Sequence, residues 1–126
     1  MVDGNGQIEV ALVDDDESLC RSLGRLLRAH DIGCRAFHSA ESFLAEDAAH
    51  YDCLVLDIQL GGISGVELSE RLAAAGSRVP VIFLTALDDP ATKNRAIASA
   101  CAGYFRKTEP GDQVVAAIQK AAASNP

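Results

Sequence analysis

Positive charge is scarce in this sequence of 126 residues. Lysine and arginine together number 11 against 18 aspartates and glutamates, which gives a formal net charge of −7. That balance argues against direct binding to nucleic acid or to an anionic membrane surface. No apolar run approaches the roughly 18–20 residues of a membrane span, and the N-terminal MVDGNGQ lacks the features of a signal peptide. We therefore expect a soluble cytoplasmic protein.

Metal-binding and redox patterns of cysteine are missing as well. The four cysteines form no C-x-x-C pair, and the three histidines are isolated in the same way. We therefore expect mostly buried side chains without a site role, the cysteines being reduced. These residues are Cys20, Cys34, Cys53, Cys101, His30, His38 and His50.

Short apolar segments are what the sequence has instead. VALV (10–13), CLVL (53–56) and VIFL (81–84) are rich in β-branched residues and show no polar alternation. This pattern is typical of strands that are buried on both faces of a parallel sheet. GCRAF (33–37) and GYF (103–105) are weaker strand candidates.

Segments with helical period separate these strands. Asp16, Ser39 and Ser64 are candidate N-caps, and Gly76 is placed to end the third helix. Asp89-Pro90 predicts the start of a fourth helix that reaches about Ala100. Strand and helix alternate five times, which predicts an α/β fold: a doubly wound, five-stranded parallel sheet flanked by five helices.

Polar residues follow four of the predicted strands. In open parallel sheets, ligands bind beyond the carboxyl ends of the strands, so these side chains are expected to share one rim. They are Asp14, Asp15, Asp57, Thr85 and Lys107.

Carboxylates without cysteine or histidine suit Mg2+, and a lysine suits a phosphate oxygen. A carboxylate nucleophile, a metal and a lysine are the groups needed to accept a phosphoryl group. Any one such aspartate could instead be only a helix N-cap, as expected for Asp16. Five suitable groups at four strand ends favour a shared site.

Four stretches in order resemble the receiver domain of two-component response regulators. They are VDDDESL, LVLDIQLGGISGVEL, VIFLTA and GYFRK. The resemblance runs from about Ile8 to Ala122, which leaves residues 1–7 and 123–126 as tails. VDDDESLCRSLGRLL and FHSAESFL are most similar to receivers that usually precede a LuxR-type DNA-binding domain.

The resemblance implies the chemistry of the site. Asp57 is expected to be the phosphoacceptor for a sensor histidine kinase or a phosphotransfer protein. Asp14, Asp15, Asp57 and the backbone carbonyl of Gln59 are expected to hold Mg2+, while Lys107 pairs with a phosphoryl oxygen. The chain would then be a signalling domain and no enzyme, although it assists its own phosphotransfer and dephosphorylation.

The resemblance also implies a switch. Thr85 is expected to turn toward the phosphoryl group, and the rotamer of Tyr104 to follow it. The readout would be a protein-interaction surface on the fourth helix, fifth strand and fifth helix, where a downstream protein or a second copy docks.

Three positions depart from the family pattern. Gly61 stands where a proline is frequent and is expected to loosen its loop. Thr108 follows Lys107 in place of a proline with a cis bond, so a trans bond and a shifted loop are expected. Ala100 stands where a glycine is common.

Other classes fit less well. A haloacid-dehalogenase-like phosphatase would need an aspartate at Gln59, two residues beyond its nucleophile. A flavodoxin-like cofactor binder would offer small hydroxyl residues to a phosphate, which Asp14, Asp15 and Asp16 would repel. Whether the chain is a stand-alone receiver or a fragment of a longer DNA-binding regulator stays open.

Overall fold

Strands and helices alternate throughout a computed structural model that describes residues 7–46, 50–86 and 89–124. The strands are β1 (Ile8–Val13), β2 (Ile32–Phe37), β3 (Cys53–Asp57), β4 (Val81–Thr85) and β5 (Gly103–Arg106). The helices are α1 (Glu17–Ala29), α2 (Ala40–Leu44), α3 (Gly65–Ala74), α4 (Pro90–Ala98) and α5 (Gly111–Ser124).

The five strands form one parallel sheet in the order β2-β1-β3-β4-β5. The chain runs outward from β1 to β2 and then in the opposite direction from β3 to β5. The connection order therefore reverses between β1 and β3, which is where open sheets of this type bind ligands. The predicted fold class is confirmed.

Both faces of the sheet are covered, which explains the apolar runs. Alternate strand residues point to opposite faces. One face packs with α1 and α5 through residues such as Leu12 and Ile118, and the other with α2, α3 and α4 through residues such as Val13 and Phe43. All five residues of β3 are buried, so the strand that carries Asp57 is central and held on both sides.

Helix starts follow the predicted caps. The Asp16 carboxylate accepts a hydrogen bond from the Leu19 N–H at 3.1 Å, and the Ser64 hydroxyl accepts one from the Glu67 N–H at 3.1 Å. Ser39 caps α2 in the same way. These contacts fix where α1, α2 and α3 begin behind their strands.

The predicted end of α4 was wrong by two residues. The helix begins at Pro90 as expected but stops at Ala98, short of Ala100. Ala100 has a φ of 60°, in the left-handed region that strains an alanine and that continues no right-handed helix. The same region is occupied after α3 by Gly76, where glycine is free of that strain.

Several smaller expectations also meet the structure here. No cis peptide bond occurs within the described residues, so Lys107 and Thr108 are joined in trans as expected. Helix α5 runs to Ser124, two residues past the expected domain boundary, and of the expected N-terminal tail only Gln7 is described. None of the helices in the described ranges is long and apolar enough to cross a membrane.

The cysteines and histidines differ from each other in burial. The four cysteines are free thiols, buried or half-buried, and burial raises the pKa of Cys20 and Cys34 to about 11. Such thiols are poor nucleophiles. The histidines, by contrast, are exposed at positions 30, 38 and 50, so their predicted burial was wrong.

Candidate functional site

Two aspartates meet at the carboxyl ends of β1 and β3. Asp14 follows β1 directly, and Asp57 is the last residue of β3. Val13 pairs with Leu56 across these parallel neighbours, so the residues that follow them lie side by side. Asp14 is 0% and Asp57 2% exposed, which makes them two neighbouring carboxylates withdrawn from water.

Lys107 joins these two carboxylates. It follows β5, and its backbone N–H donates to the carbonyl of Thr85 at 2.8 Å, which fixes where the side chain starts. The ammonium Nζ lies 2.9 Å from Oδ2 of Asp14 and 3.2 Å from Oδ2 of Asp57. One cation thus offsets part of the repulsion between two buried anions.

The pKa values follow from this arrangement. Burial raises the pKa of Asp57 to about 6, against the opposing effects of the Gln59 N–H and Lys107. Asp14 adds to the rise through like-charge repulsion. For Lys107, burial disfavours the charge, but the contacts with Asp14 and Asp57 outweigh it and raise the pKa of the amine. The site therefore favours additional positive charge.

Asp15 completes a candidate metal site. Its exposed side chain places a carboxylate oxygen within 4.8 Å of oxygens from Asp14 and Asp57. Oxygens bound to one Mg2+ lie about 3–4 Å apart, so small movements would suffice to bring all three to the ion. The set is all-oxygen, carries an excess of negative charge and is open to water on the Asp15 side. These properties fit Mg2+, which keeps several waters.

The loop after β3 is held close to the acceptor. The Gln59 N–H donates to Oδ1 of Asp57 at 3.0 Å, and the N–H of Gly65 donates to the Ile58 carbonyl at 3.0 Å. A Cβ on Gly65 would overlap the Asp57 carbonyl and lie 3.0 Å from the Cα of Ile58. Glycine thus lets α3 begin directly against the acceptor strand. That the carbonyl of Gln59 binds the cation stays a prediction.

The predicted switch residues lie on the neighbouring strands. Thr85 is the buried last residue of β4, and β4 lies directly beside β3, the strand that carries Asp57. Tyr104 lies on β5 opposite Phe83 and is half-buried against the core on the α4 side. Lys93 of α4 places its Nζ 5.7 Å from the centre of the Tyr104 ring. All residues of the predicted group except Tyr104 thus reach the same rim, and their roles stay predictions.

Two residues next to the site were not singled out from the sequence. Gly65 gave no signal beyond its place after the N-cap Ser64. His38 was dismissed, yet it follows the end of β2, and its Nδ1 lies 3.2 Å from the backbone carbonyl oxygen of Asp14. His38 is the first residue after β2, so the rule that drew attention to the ends of the other strands applies to it as well.

The metal site gives a first testable expectation. Replacing Asp15 by asparagine is expected to weaken Mg2+ binding at least about tenfold, because an anionic ligand is removed. The Lys107→Ala variant is expected to bind at least as tightly as wild type, because a competing cation is gone. Amide chemical shifts recorded during Mg2+ titration give both affinities.

Asp16→Asn is the matched control for that titration. It removes one charge from the same acidic run but keeps the N-cap, since asparagine caps as well as aspartate. Equal weakening by Asp15→Asn and Asp16→Asn would mean that only the general negative charge matters and that Asp15 is no ligand.

Known proteins share this sequence pattern. Residues 10–119 match the family described as response regulator receiver domain. Transcriptional regulatory protein TdiR of Thauera aromatica is 32% identical over 117 residues, which cover 92% of this chain and 52% of TdiR. Nodulation protein W of Bradyrhizobium diazoefficiens is 35% identical over 116 residues, 88% of this chain and 51% of that protein. The chain spans about half the length of these relatives.

The fold is shared as well. The solved structure of a response regulator receiver protein from Burkholderia phymatum is 35% identical and superposes with a TM-score of 0.79. The match covers 92% of this chain and 95% of that one. Sequence and fold thus point to the same family.

Proposed function

The chain belongs to the response regulator receiver domain family, and on that premise we propose that Asp57 accepts a phosphoryl group from a histidine kinase. The observation that carries the proposal is the contact of Lys107 with both Asp14 and Asp57 at the switch point of the sheet. This contact supports the proposal, because it brings together the proposed acceptor carboxylate, a second carboxylate suited to a metal and a cation suited to phosphate oxygens.

The transfer step needs little from the chain beyond position and charge. A carboxylate oxygen of Asp57 forms the new P–O bond while the P–N bond to the donor imidazole breaks, and its electron pair returns to that ring. Lys107 would pair with a phosphoryl oxygen, because its Nζ already contacts Asp57. We propose that Lys107 later also assists the attack of water on the acyl phosphate and so limits the lifetime of the phosphorylated state.

Asp14, Asp15 and Asp57, with the Gln59 carbonyl, would hold the divalent cation. When bound, Mg2+ supplies positive charge to the phosphoryl oxygens and offsets the carboxylates. The chain's own contribution is the donor set: two buried carboxylates fixed by Lys107 and backbone N–H groups, and an exposed one that completes it.

Incubation with acetyl phosphate tests this function. We expect one phosphoryl adduct by intact-mass measurement, only in the presence of Mg2+, and its removal by hydroxylamine, which cleaves acyl phosphates. An adduct that forms equally well in EDTA, or that resists hydroxylamine, would contradict transfer to a carboxylate.

We propose that the phosphorylated state is read on α4, β5 and α5. Thr85 ends β4 beside the acceptor, so movement toward a phosphoryl oxygen would free space on the side of β5. Tyr104 is the large side chain there, and Lys93 contacts its ring. Ile97, 53% exposed on α4, adds an apolar contact point for a partner or a second copy. About 3–4 kcal/mol of differential stabilisation would make a minor state dominant.

Beryllofluoride, a mimic of the phosphoryl group, tests this readout. We expect amide shifts of Tyr104 and of α4 and α5 residues to change in wild type. In the Thr85→Ala variant we expect changes only near Asp57, because the moving hydroxyl is absent. Changes at Tyr104 of equal size in both proteins would exclude Thr85 as the link.

The output is proposed from the relatives. TdiR is named a transcriptional regulatory protein and is about twice the length of this chain. We propose that this receiver controls a DNA-binding part in a longer cytoplasmic regulator, while the receiver itself contacts no nucleic acid.

A further inference from the structure

The hydrogen bond between His38 and Asp14 has no role in the phosphotransfer site described so far. The Nδ1 of His38 lies 3.2 Å from the Asp14 carbonyl oxygen. A carbonyl oxygen only accepts hydrogen bonds, so Nδ1 carries the hydrogen. We propose that His38 is a positioning residue that fixes the peptide between Asp14 and Asp15 and thereby directs Asp15 to the metal. This inference rests on the proposed function.

The Asp14 carbonyl lies just beyond the last backbone hydrogen bond between the β1 and β2 segments. The N–H of Asp14 donates to the Phe37 carbonyl at 2.9 Å, one residue past the end of β1. The β2 strand ends at Phe37, so the Asp14 carbonyl is bonded by the His38 side chain and not by a backbone N–H of β2. Within the described residues, the only other hydrogen bond to this carbonyl comes from the Cys20 thiol at 3.5 Å, a weak donor. The imidazole is therefore its main partner.

Asp15 is the one carboxylate of the site that depends on this peptide. Asp14 is held by the Asp16 N–H and Lys107, and Asp57 by the Gln59 N–H and Lys107. Within the described part of the chain, the exposed Asp15 side chain makes no hydrogen bond or ion pair. Its direction is set by its own backbone, and the peptide that His38 holds immediately precedes it.

Removing the imidazole is expected to lower metal affinity without unfolding the protein. We expect His38→Ala to weaken Mg2+ binding about tenfold, the lower end of the loss caused by removing an outer partner of a metal ligand. His38→Asn is expected to retain wild-type affinity, because its Nδ2 is a donor at the same distance along the side chain. His30→Ala, at the far end of α1, is the matched control and should change nothing.

The mechanism is tested by a double-mutant cycle with Asp15→Asn, measured by Mg2+ titration of amide shifts. In that background His38→Ala is expected to cause no further loss, because the carboxylate that it directs is gone. Equal losses in both backgrounds would overturn the inference, as would an asparagine variant as weak as the alanine variant. Thermal midpoints of all variants are compared to show that the fold is kept.

Failure of this inference is distinguishable from failure of the proposed function. A wild-type protein that binds no Mg2+ would contradict the proposed function itself. A wild-type protein that binds Mg2+ with the same affinity as His38→Ala would overturn only the role of His38.

Discussion

The Asp57→Asn variant is expected to take up no phosphoryl group from acetyl phosphate and Mg2+, while wild type takes up one. The amide nitrogen is no nucleophile, and the remaining amide oxygen cannot form a stable acyl phosphate. The exposed Asp15 is not expected to substitute, because within the described residues its side chain makes no ion pair with a lysine. Intact-mass measurement after a fixed incubation gives the answer.

Asp31→Asn is the control for that measurement. Asp31 is exposed and has a φ of 61°, a conformation that asparagine tolerates as well as aspartate. The substitution should leave both fold and phosphorylation unchanged. Phosphoryl uptake by the Asp57 variant at the wild-type level would assign the acceptor to another residue.

The Asp57→Asn substitution is also expected to stabilise the metal-free fold. Burial raises the pKa of Asp57 from 3.8 to about 6, so the folded protein keeps a proton that the unfolded chain releases. Wild type therefore loses stability as pH rises from about 4 to about 6, and the loss persists above that window. A shift of this size corresponds to about 2–3 kcal/mol.

Urea unfolding of both proteins across this pH range measures that difference. Near pH 4 the two should be alike, whereas at neutral pH the variant should be more stable by up to about 2–3 kcal/mol. Added Mg2+ should narrow the gap, because it stabilises only the protein with the intact donor set. A variant that is less stable than wild type at neutral pH would show that Lys107 fully compensates the buried charge.

The convergence of the candidate residues on one rim could be predicted from the sequence, because it depends on residue type and on the order of the strands. Asp57 and Lys107 lie 50 residues apart in the chain but each follows a strand, and parallel strands end at one rim. Charged side chains behind apolar runs are visible in the sequence, and the fold class follows from the alternation of strand and helix. Both therefore could be read without coordinates.

Features that depend on backbone geometry could not be read in this way. The early end of α4 follows from the left-handed φ of Ala100, and alanine alone would favour a longer helix. The contact of His38 depends on which residue of β2 forms the last rung to β1. The close approach of Gly65 to β3 depends on the path of a loop that contains two further glycines.

The close approach of Gly65 to the end of β3 makes this glycine sensitive to substitution. Gly65→Ala is expected to destabilise the fold by about 1–3 kcal/mol, because the new Cβ overlaps backbone that has no side-chain rotamer to relieve it. Helix propensity alone would predict the opposite sign, since alanine is favoured over glycine in a helix by up to about 1 kcal/mol. The displaced backbone belongs to Asp57 and Ile58, so we also expect phosphoryl uptake to slow at least about tenfold.

Gly61→Ala separates this contact from a general need for glycine in the loop. A Cβ on Gly61 meets nothing within 4 Å, and its φ is not in the left-handed region, so alanine should fit without strain. Removing a glycine there should leave stability unchanged or raise it by about 0.4–1 kcal/mol, because the unfolded chain loses freedom. Urea midpoints and phosphorylation rates of both variants decide between the two. If Gly65→Ala matched Gly61→Ala in both measurements, contact between α3 and the end of β3 would not be what holds the acceptor in place.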